Sequence, residues 1–106
     1  MQSALASFDA ETRIEQHCGI EAMAQIAALT LFQPDRVVAY AMADVARVGN
    51  TLTAQGAAFR SGRRWYKLAF ICELTHDHRA IQAFEFTIGD PIPRRLWEAH
   101  SLPPVH

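Results

Sequence analysis

The run from Arg64 to Thr75 constrains the fold most, because large apolar side chains recur at every second position. Residues two apart on a β-strand share one face of the sheet. We assign to the core the face that carries Tyr66, Leu68, Phe70, Cys72 and Leu74. The other face carries Trp65, Lys67, Ala69, Ile71 and Glu73. This pattern predicts a long strand with one side buried.

A second strand is predicted over 80–88, where Phe84, Phe86 and Ile88 share one face. The two apolar faces coincide if Cys72 lies opposite Phe84 or a neighbour of the same parity. A hairpin that turns within 76–79 meets this condition. We therefore expect the two strands to be adjacent and antiparallel.

The segment from Asp9 to about Leu31 lacks proline and is rich in good helix formers, which predicts a helix with Asp9 as its N-cap. Ile14 and Cys18 lie one turn apart. Beyond them the apolar stripe continues through Ile20, Met23, Ala24 and Ala27. The two stripes are out of phase, so the helix either kinks at Gly19 or consists of two helices that meet there.

Turn signals divide the rest of the chain. Pro34 ends the helical region, and the pattern over residues 36–42 is compatible with either a strand or a helical turn. Gly49-Asn50 and Ser61-Gly62 are predicted hairpin turns, while Gly56 predicts a bulge or a corner. Two prolines within 90–93 end the sheet, and Pro93 can open a short helix over 94–100.

These elements predict a single α+β domain over residues 9–102, with terminal extensions at 1–8 and 103–106. An N-terminal helix, continuous or broken at Gly19, packs on an antiparallel meander of about four strands, and a short C-terminal helix follows. The net charge of -1 excludes a strongly basic nucleic-acid binder and an acidic disordered tail. No apolar run is long enough to span a membrane.

The two cysteines, Cys18 and Cys72, both point into the space between the predicted helix and sheet. A disulfide there would strengthen a core in which about a third of the hydrophobic residues are alanine. The alternative is two buried free thiols in a cytosolic protein. The chain has no Cys-x-x-Cys pair, which argues against a redox-active role.

Two clusters are candidate binding sites. His76 and His78 could chelate a metal ion, although a solvated hairpin tip explains them equally well. The second cluster could bind an anion or a glycan, or could instead protect a hairpin tip from aggregation. It comprises Arg60, Arg63, Arg64, Trp65 and Lys67, with Trp97 and Arg94 as further exposed candidates near the C-terminus.

Catalytic motifs are absent from the sequence, and we expect no cofactor and no enzymatic activity. Glu73 and Glu85 share the face opposite the core and could form a carboxylate pair of a small hydrolase. Two solvated glutamates on a sheet surface explain the same pattern.

Several runs in the same order resemble the alphaproteobacterial domain-of-unknown-function family numbered 930. They are Cys18–Met23, Asp35–Ala41, Gly49–Leu52, Gly56–Ser61, Arg64–Tyr66 and Ile88–Pro93, followed by Trp97. The resemblance covers about residues 11–102. It implies an exported or membrane-anchored envelope protein and gives no catalytic residues. It also favours the disulfide, because the periplasm is oxidising.

We therefore expect a non-catalytic periplasmic or envelope module that binds another envelope component, either a protein or a glycan. The alternative is a small-molecule or metal-binding domain that uses the hairpin histidines or a pocket between sheet and helix. Ala4-Leu5-Ala6 resembles the end of a signal peptide, so a periplasmic location depends on Met1 being an artificial start; otherwise the protein is cytoplasmic. The sequence does not indicate an oligomeric state.

Overall fold

The computed structural model describes the backbone of residues 2–103 and the side chains from residue 10 onward. Met1 and residues 104–106, part of the predicted terminal extensions, lie outside the described residues, and so do the side chains of Ala4-Leu5-Ala6. The elements are α1 (Gln2–Leu29), β1 (Pro34–Val38), β2 (Ala46–Val48), β3 (Thr51–Ser61), β4 (Arg64–Leu74) and β5 (Ile81–Pro91). Two short 3-10 turns follow, Arg94–Leu96 and Glu98–His100.

The predicted α+β fold is confirmed. The five strands form one antiparallel sheet in the order β1-β3-β4-β5, and β2 also pairs with β3. The strands β3 to β5 therefore form a meander, while β1 and β2 lie along the same edge of β3. Within residues 2–103, no helix combines the length and the apolarity needed to cross a bilayer.

Helix α1 is continuous, so of the alternatives left open at Gly19, a break into two helices is wrong. From residue 10 onward, its buried stripe is formed by Ile14, Cys18, Ala22 and Ile26. These residues are four apart and show no change of phase, whereas Ile20 is 61% exposed and does not belong to the stripe. The helix also begins at Gln2, so Asp9 lies within it and is not its N-cap.

Gly19 faces β1. A Cβ atom at this position would lie 4.0 Å from the Val37 side chain, at ordinary contact distance. The glycine is therefore not required by a close approach of the two elements.

The alternation predicted for β4 is confirmed, with Leu68, Phe70, Cys72 and Leu74 all buried. Cys72 pairs with Phe84 of β5, as the coincidence of the two apolar faces requires. The inner faces of β3, β4 and β5 and the stripe of α1 together form the larger hydrophobic core.

The hairpin between β3 and β4 turns at Gly62 and Arg63, one residue later than predicted. Both residues have positive φ, 57° and 67°, as a two-residue type I′ turn requires. Ser61 belongs to the ladder, where it pairs with Arg64. The other predicted turn, at Gly49-Asn50, connects β2 and β3 as expected.

Gly56 lies at the predicted bulge, where the pairing of β3 with β4 shifts between Ala54 and Ala57. The chain passes directly over this point, and the Met42 amide donates to the Gly56 carbonyl oxygen at 2.7 Å. A Cβ atom on Gly56 would lie 2.4 Å from the backbone nitrogen of Ala43. Only glycine fits this crossing without displacement of the backbone.

A second, smaller core lies on the outer face of the sheet, which the alternation pattern assigned to solvent. The C-terminal segment crosses this face, and its path begins where the Ile92 amide donates to the Trp65 carbonyl oxygen at 2.8 Å. The buried residues of this core are Val38, Ala41, Ala58, Trp65, Ile92, Trp97 and Leu102. The predicted short C-terminal helix lies in this segment as the two 3-10 turns.

Candidate functional site

Cys18 and Cys72 form a disulfide that joins α1 to the middle of the sheet. Their Cα atoms are 6.1 Å apart, and both residues are fully buried. The free-thiol alternative is therefore wrong. The bond has a structural position within the larger core and is not exposed to a substrate.

The histidine candidates, His76 and His78, lie at the tip of the β4–β5 hairpin. Local hydrogen bonds stabilise this tip. The His78 ring nitrogen Nε2 lies 2.8 Å from Asn50 Oδ1, which connects this tip to the β2–β3 turn. Asp77 accepts hydrogen bonds from the Thr75 hydroxyl and the Arg79 amide, and the Thr75 bond above all lowers the pKa of its carboxyl group. Among the described residues, no three metal-ligating side chains form a group.

The guanidinium group of Arg60 contacts two neighbours within the protein. Its Nε and Nη2 atoms donate to the two carboxylate oxygens of Asp35 at 2.8 and 3.3 Å. The same guanidinium lies 5.7 Å from the centre of the Trp65 ring. The hydrogen bond from Arg60 lowers the pKa of the Asp35 carboxyl group.

Trp65 was expected to be an exposed contact residue, and this expectation is wrong. Its side chain is completely buried in the smaller core, and its indole N–H donates to the Pro103 carbonyl oxygen at 3.0 Å. Trp97 is also buried, at 7% exposure, and donates its indole N–H to the Ile92 carbonyl oxygen at 2.8 Å. The C-terminal segment that covers Trp65 could not be anticipated from strand alternation alone.

The remaining arginine candidates come together in a groove of about 570 Å³ at one end of the sheet, which we call the arginine groove. It is lined by Arg63, Arg64, Pro91, Ile92, Pro93, Arg94 and Trp97. The three arginines are exposed, and none of the described acidic side chains lines the groove. Lys67 is exposed but is not among the lining residues.

Local structure positions each arginine of the groove. The type I′ turn presents Arg63 and Arg64 at the end of β3 and β4. Arg94 opens the first 3-10 turn, and its guanidinium lies over the Trp97 ring, 5.0 Å from the ring centre. Guanidinium groups bind carboxylate and phosphate oxygens in a fixed fork geometry, so this arrangement is suited to an anionic ligand.

A second groove, of about 510 Å³, separates α1 from β1 and the residues that follow it. Ile20 and Tyr40 line it and are 61% and 60% exposed. Glu15 also lines it, and burial, assisted by the nearby charge of Glu11, raises the pKa of its carboxyl group. This is the location of the sheet–helix pocket considered in the alternative interpretation.

The carboxylate pair considered for catalysis does not form a direct cross-strand pair. Glu73 lies opposite Ala83, and Glu85 lies opposite Ile71. Glu85 lines a shallow groove of about 310 Å³ on the outer face, but Glu73 does not.

Comparisons with known proteins support a family assignment and nothing more specific. Neither the curated proteins nor the solved structures contain a match to this chain. The model of the family described as Domain of Unknown Function (DUF930) matches residues 5–102, which include α1 from its second turn, the whole sheet and the arginine groove. Because the match covers nearly the whole chain, the protein belongs to this family of domains of unknown function.

Proposed function

We propose that the protein is a non-catalytic module of the bacterial cell envelope that binds an acidic segment of another envelope protein in the arginine groove. The convergence of Arg63, Arg64 and Arg94 on one groove, whose described lining residues include no acidic side chain, carries this proposal. A guanidinium group stays protonated over the whole physiological pH range, so the groove remains cationic wherever the protein is located.

The surroundings of the groove favour a carboxylate-bearing peptide over a glycan. Sugar rings bind proteins by stacking on exposed aromatic faces, as amphipathic aromatic rings allow. Trp65 is buried, and Arg94 lies over the ring of the nearly buried Trp97. Neither indole offers a free face, whereas the three guanidinium groups are exposed.

The disulfide supports an oxidising compartment for this module. Disulfides persist in the periplasm and other exported locations and are rare in the cytosol. The bond between Cys18 and Cys72 is completely buried and joins two layers of the fold. A periplasmic location therefore explains both the bond and the resemblance to exported proteins.

The proposal is tested by binding of an oligoglutamate peptide at low ionic strength, measured by fluorescence anisotropy. We expect binding that weakens as salt is added, because exposed charges are screened. The variant Arg63→Gln/Arg64→Gln/Arg94→Gln should weaken binding by at least roughly tenfold, since each lost charge-assisted contact contributes on the order of 1 kcal/mol.

A matched control separates the groove from net charge. Arg36→Gln/Arg79→Gln/Arg95→Gln removes the same charge from exposed arginines that do not line the groove. Equal weakening in both triple variants, or absence of binding by the wild type, would refute the proposal. Tighter binding of a polyuronate glycan than of the peptide would refute the choice of a protein partner. Crosslinking in intact cells, compared between the two variants, then identifies the partner.

A further inference from the structure

The strand β5 has a free edge and a partly uncovered apolar face. It pairs with β4 on one side, and no other described strand lies along its second side. Helix α1 contacts β1 more extensively than it contacts β3 or β5. Phe84, Phe86 and Ile88 contact the larger core and are partly buried.

The middle of the free edge is open to pairing. Exposed edges are commonly protected by lysine, by proline or by bulges. The pairing of β5 with β4 is irregular near Gln82 and again near Gly89, but it is regular over 83–88. That regular segment contains neither lysine nor proline, and its single charged residue is Glu85.

The sequence of the regular segment is complementary to itself in one antiparallel register. When Phe86 lies opposite its own copy, Phe84 lies opposite Ile88, and all three apolar residues remain on the inner face. Glu85 then lies opposite Thr87 on the outer face. A register centred on Glu85 would place two carboxylates directly opposite each other, which is destabilising. One centred on Thr87 extends into the irregular pairing near Gly89.

We propose that two copies of this chain associate through β5, in antiparallel register about Phe86, so that the two sheets become continuous. The second copy pairs with the unused backbone groups of the edge. It also covers the partly exposed apolar stripe with the same stripe of its own β5. This association uses a surface separate from the arginine groove and does not depend on the function proposed for that groove.

The proposal is tested by sedimentation equilibrium of the oxidised protein over a wide concentration range. We expect a monomer–dimer equilibrium. Thr87→Glu should raise the dimer dissociation constant roughly tenfold, because it creates two like-charge pairs with Glu85 across the symmetric interface. Thr87 is exposed, so the substitution should leave the thermal melt of the monomer almost unchanged.

A rescue variant tests the register itself. The double substitution Glu85→Lys/Thr87→Glu should restore dimerisation, because the opposing side chains at positions 85 and 87 then have opposite charges. As a matched control, Gln33→Glu adds one negative charge at an exposed position beside β1, at the far edge of the sheet, and should not weaken the dimer. A wild-type monomer at all concentrations would overturn the proposal, and so would equal weakening by Gln33→Glu. A dimer that the double variant does not restore would overturn the register.

Discussion

Removal of the disulfide should cost this protein an unusually large part of its stability. Over the part of α1 whose side chains are described, the helix packs on the sheet through a narrow stripe in which two of the four residues, Cys18 and Ala22, have small side chains. The larger apolar side chains of this stripe are Ile14 and Ile26, near its two ends. The bond to Cys72 therefore holds the middle of the helix where little apolar area is available.

The expected magnitude follows from the size of the loop that the bond closes. Cys18 and Cys72 are separated by 54 positions in the sequence. In the chain-entropy account, closing a loop of this size stabilises the folded state by about 4 kcal/mol. For a domain of 106 residues, the unfolding entropy is about 0.2 kcal/mol/K, so the loss corresponds to a fall in Tm of roughly 15–20 °C.

Two measurements separate this effect from side-chain packing. Calorimetry of the wild type with and without reductant measures the loss of the crosslink while both sulfur atoms stay in place. Cys18→Ala/Cys72→Ala removes the sulfur atoms as well, and its Tm should not respond to reductant. Hydrogen exchange of the reduced protein should show the amides of α1 losing protection before those of β3 and β4, because the helix has the weaker contacts.

A fall in Tm of less than about 5 °C on complete reduction would refute the reasoning, because it would mean that packing alone holds α1 in place. Equal loss of protection in α1 and in β4 would refute the specific role assigned to the helix. Reduction should be verified by counting two reactive thiols in the denatured sample.

Three further predictions concern single residues. Gly56→Ala should lower the free energy of unfolding by roughly 2 kcal/mol or more in urea denaturation, because its Cβ atom would overlap the backbone that crosses β3; an unchanged midpoint would contradict this. Gly19→Ala should instead raise the free energy of unfolding by about 0.5–1 kcal/mol in the same assay, since the helix interior has room for a methyl group; a loss of stability would show that the groove beside α1 needs the glycine. The lowered pKa of Asp35 means that its ion pair with Arg60 stabilises the fold above the usual aspartate pKa of about 3.9, and that this contribution is lost as the pH falls through the lower value in the folded state. Thermal melts of Asp35→Asn should therefore approach those of the wild type as the pH is lowered below about 4, and a constant difference would contradict the assignment.

Strand alternation predicted the inner face of β4 and its pairing with β5, because local periodicity and long-range packing agree there. It could not predict the outer core. The burial of Trp65 depends on Ile92 and Pro103, which are distant in sequence and bring no periodic signal of their own.

The buried face of the helix was predicted wrongly for a related reason. Alanine is compatible with both a buried and an exposed position, so Ala24 and Ala27 did not distinguish the true stripe from a false one. The stripe that includes Ala22 follows only when the positions of β1 and β4 are known.

The arginine groove, too, could be predicted only in part from the sequence. Sequence identified Arg63, Arg64 and Arg94 as exposed cations, and the structure brings them together because the C-terminal segment crosses the sheet beside the β3–β4 turn. It also removes Arg60 from this group, since Asp35 on a neighbouring strand already engages it.

The placement of both tryptophans in the smaller core has a spectroscopic consequence. Trp65 and Trp97 are the two tryptophans of the chain, and neither contributes to the larger core beneath α1. Intrinsic fluorescence will therefore change when the C-terminal segment detaches from the sheet. It will change little when the helix detaches. Far-ultraviolet circular dichroism, in contrast, is dominated by the helix. When the two signals are recorded together during reduction, a difference between their transitions will show that the two layers detach from the sheet in separate steps.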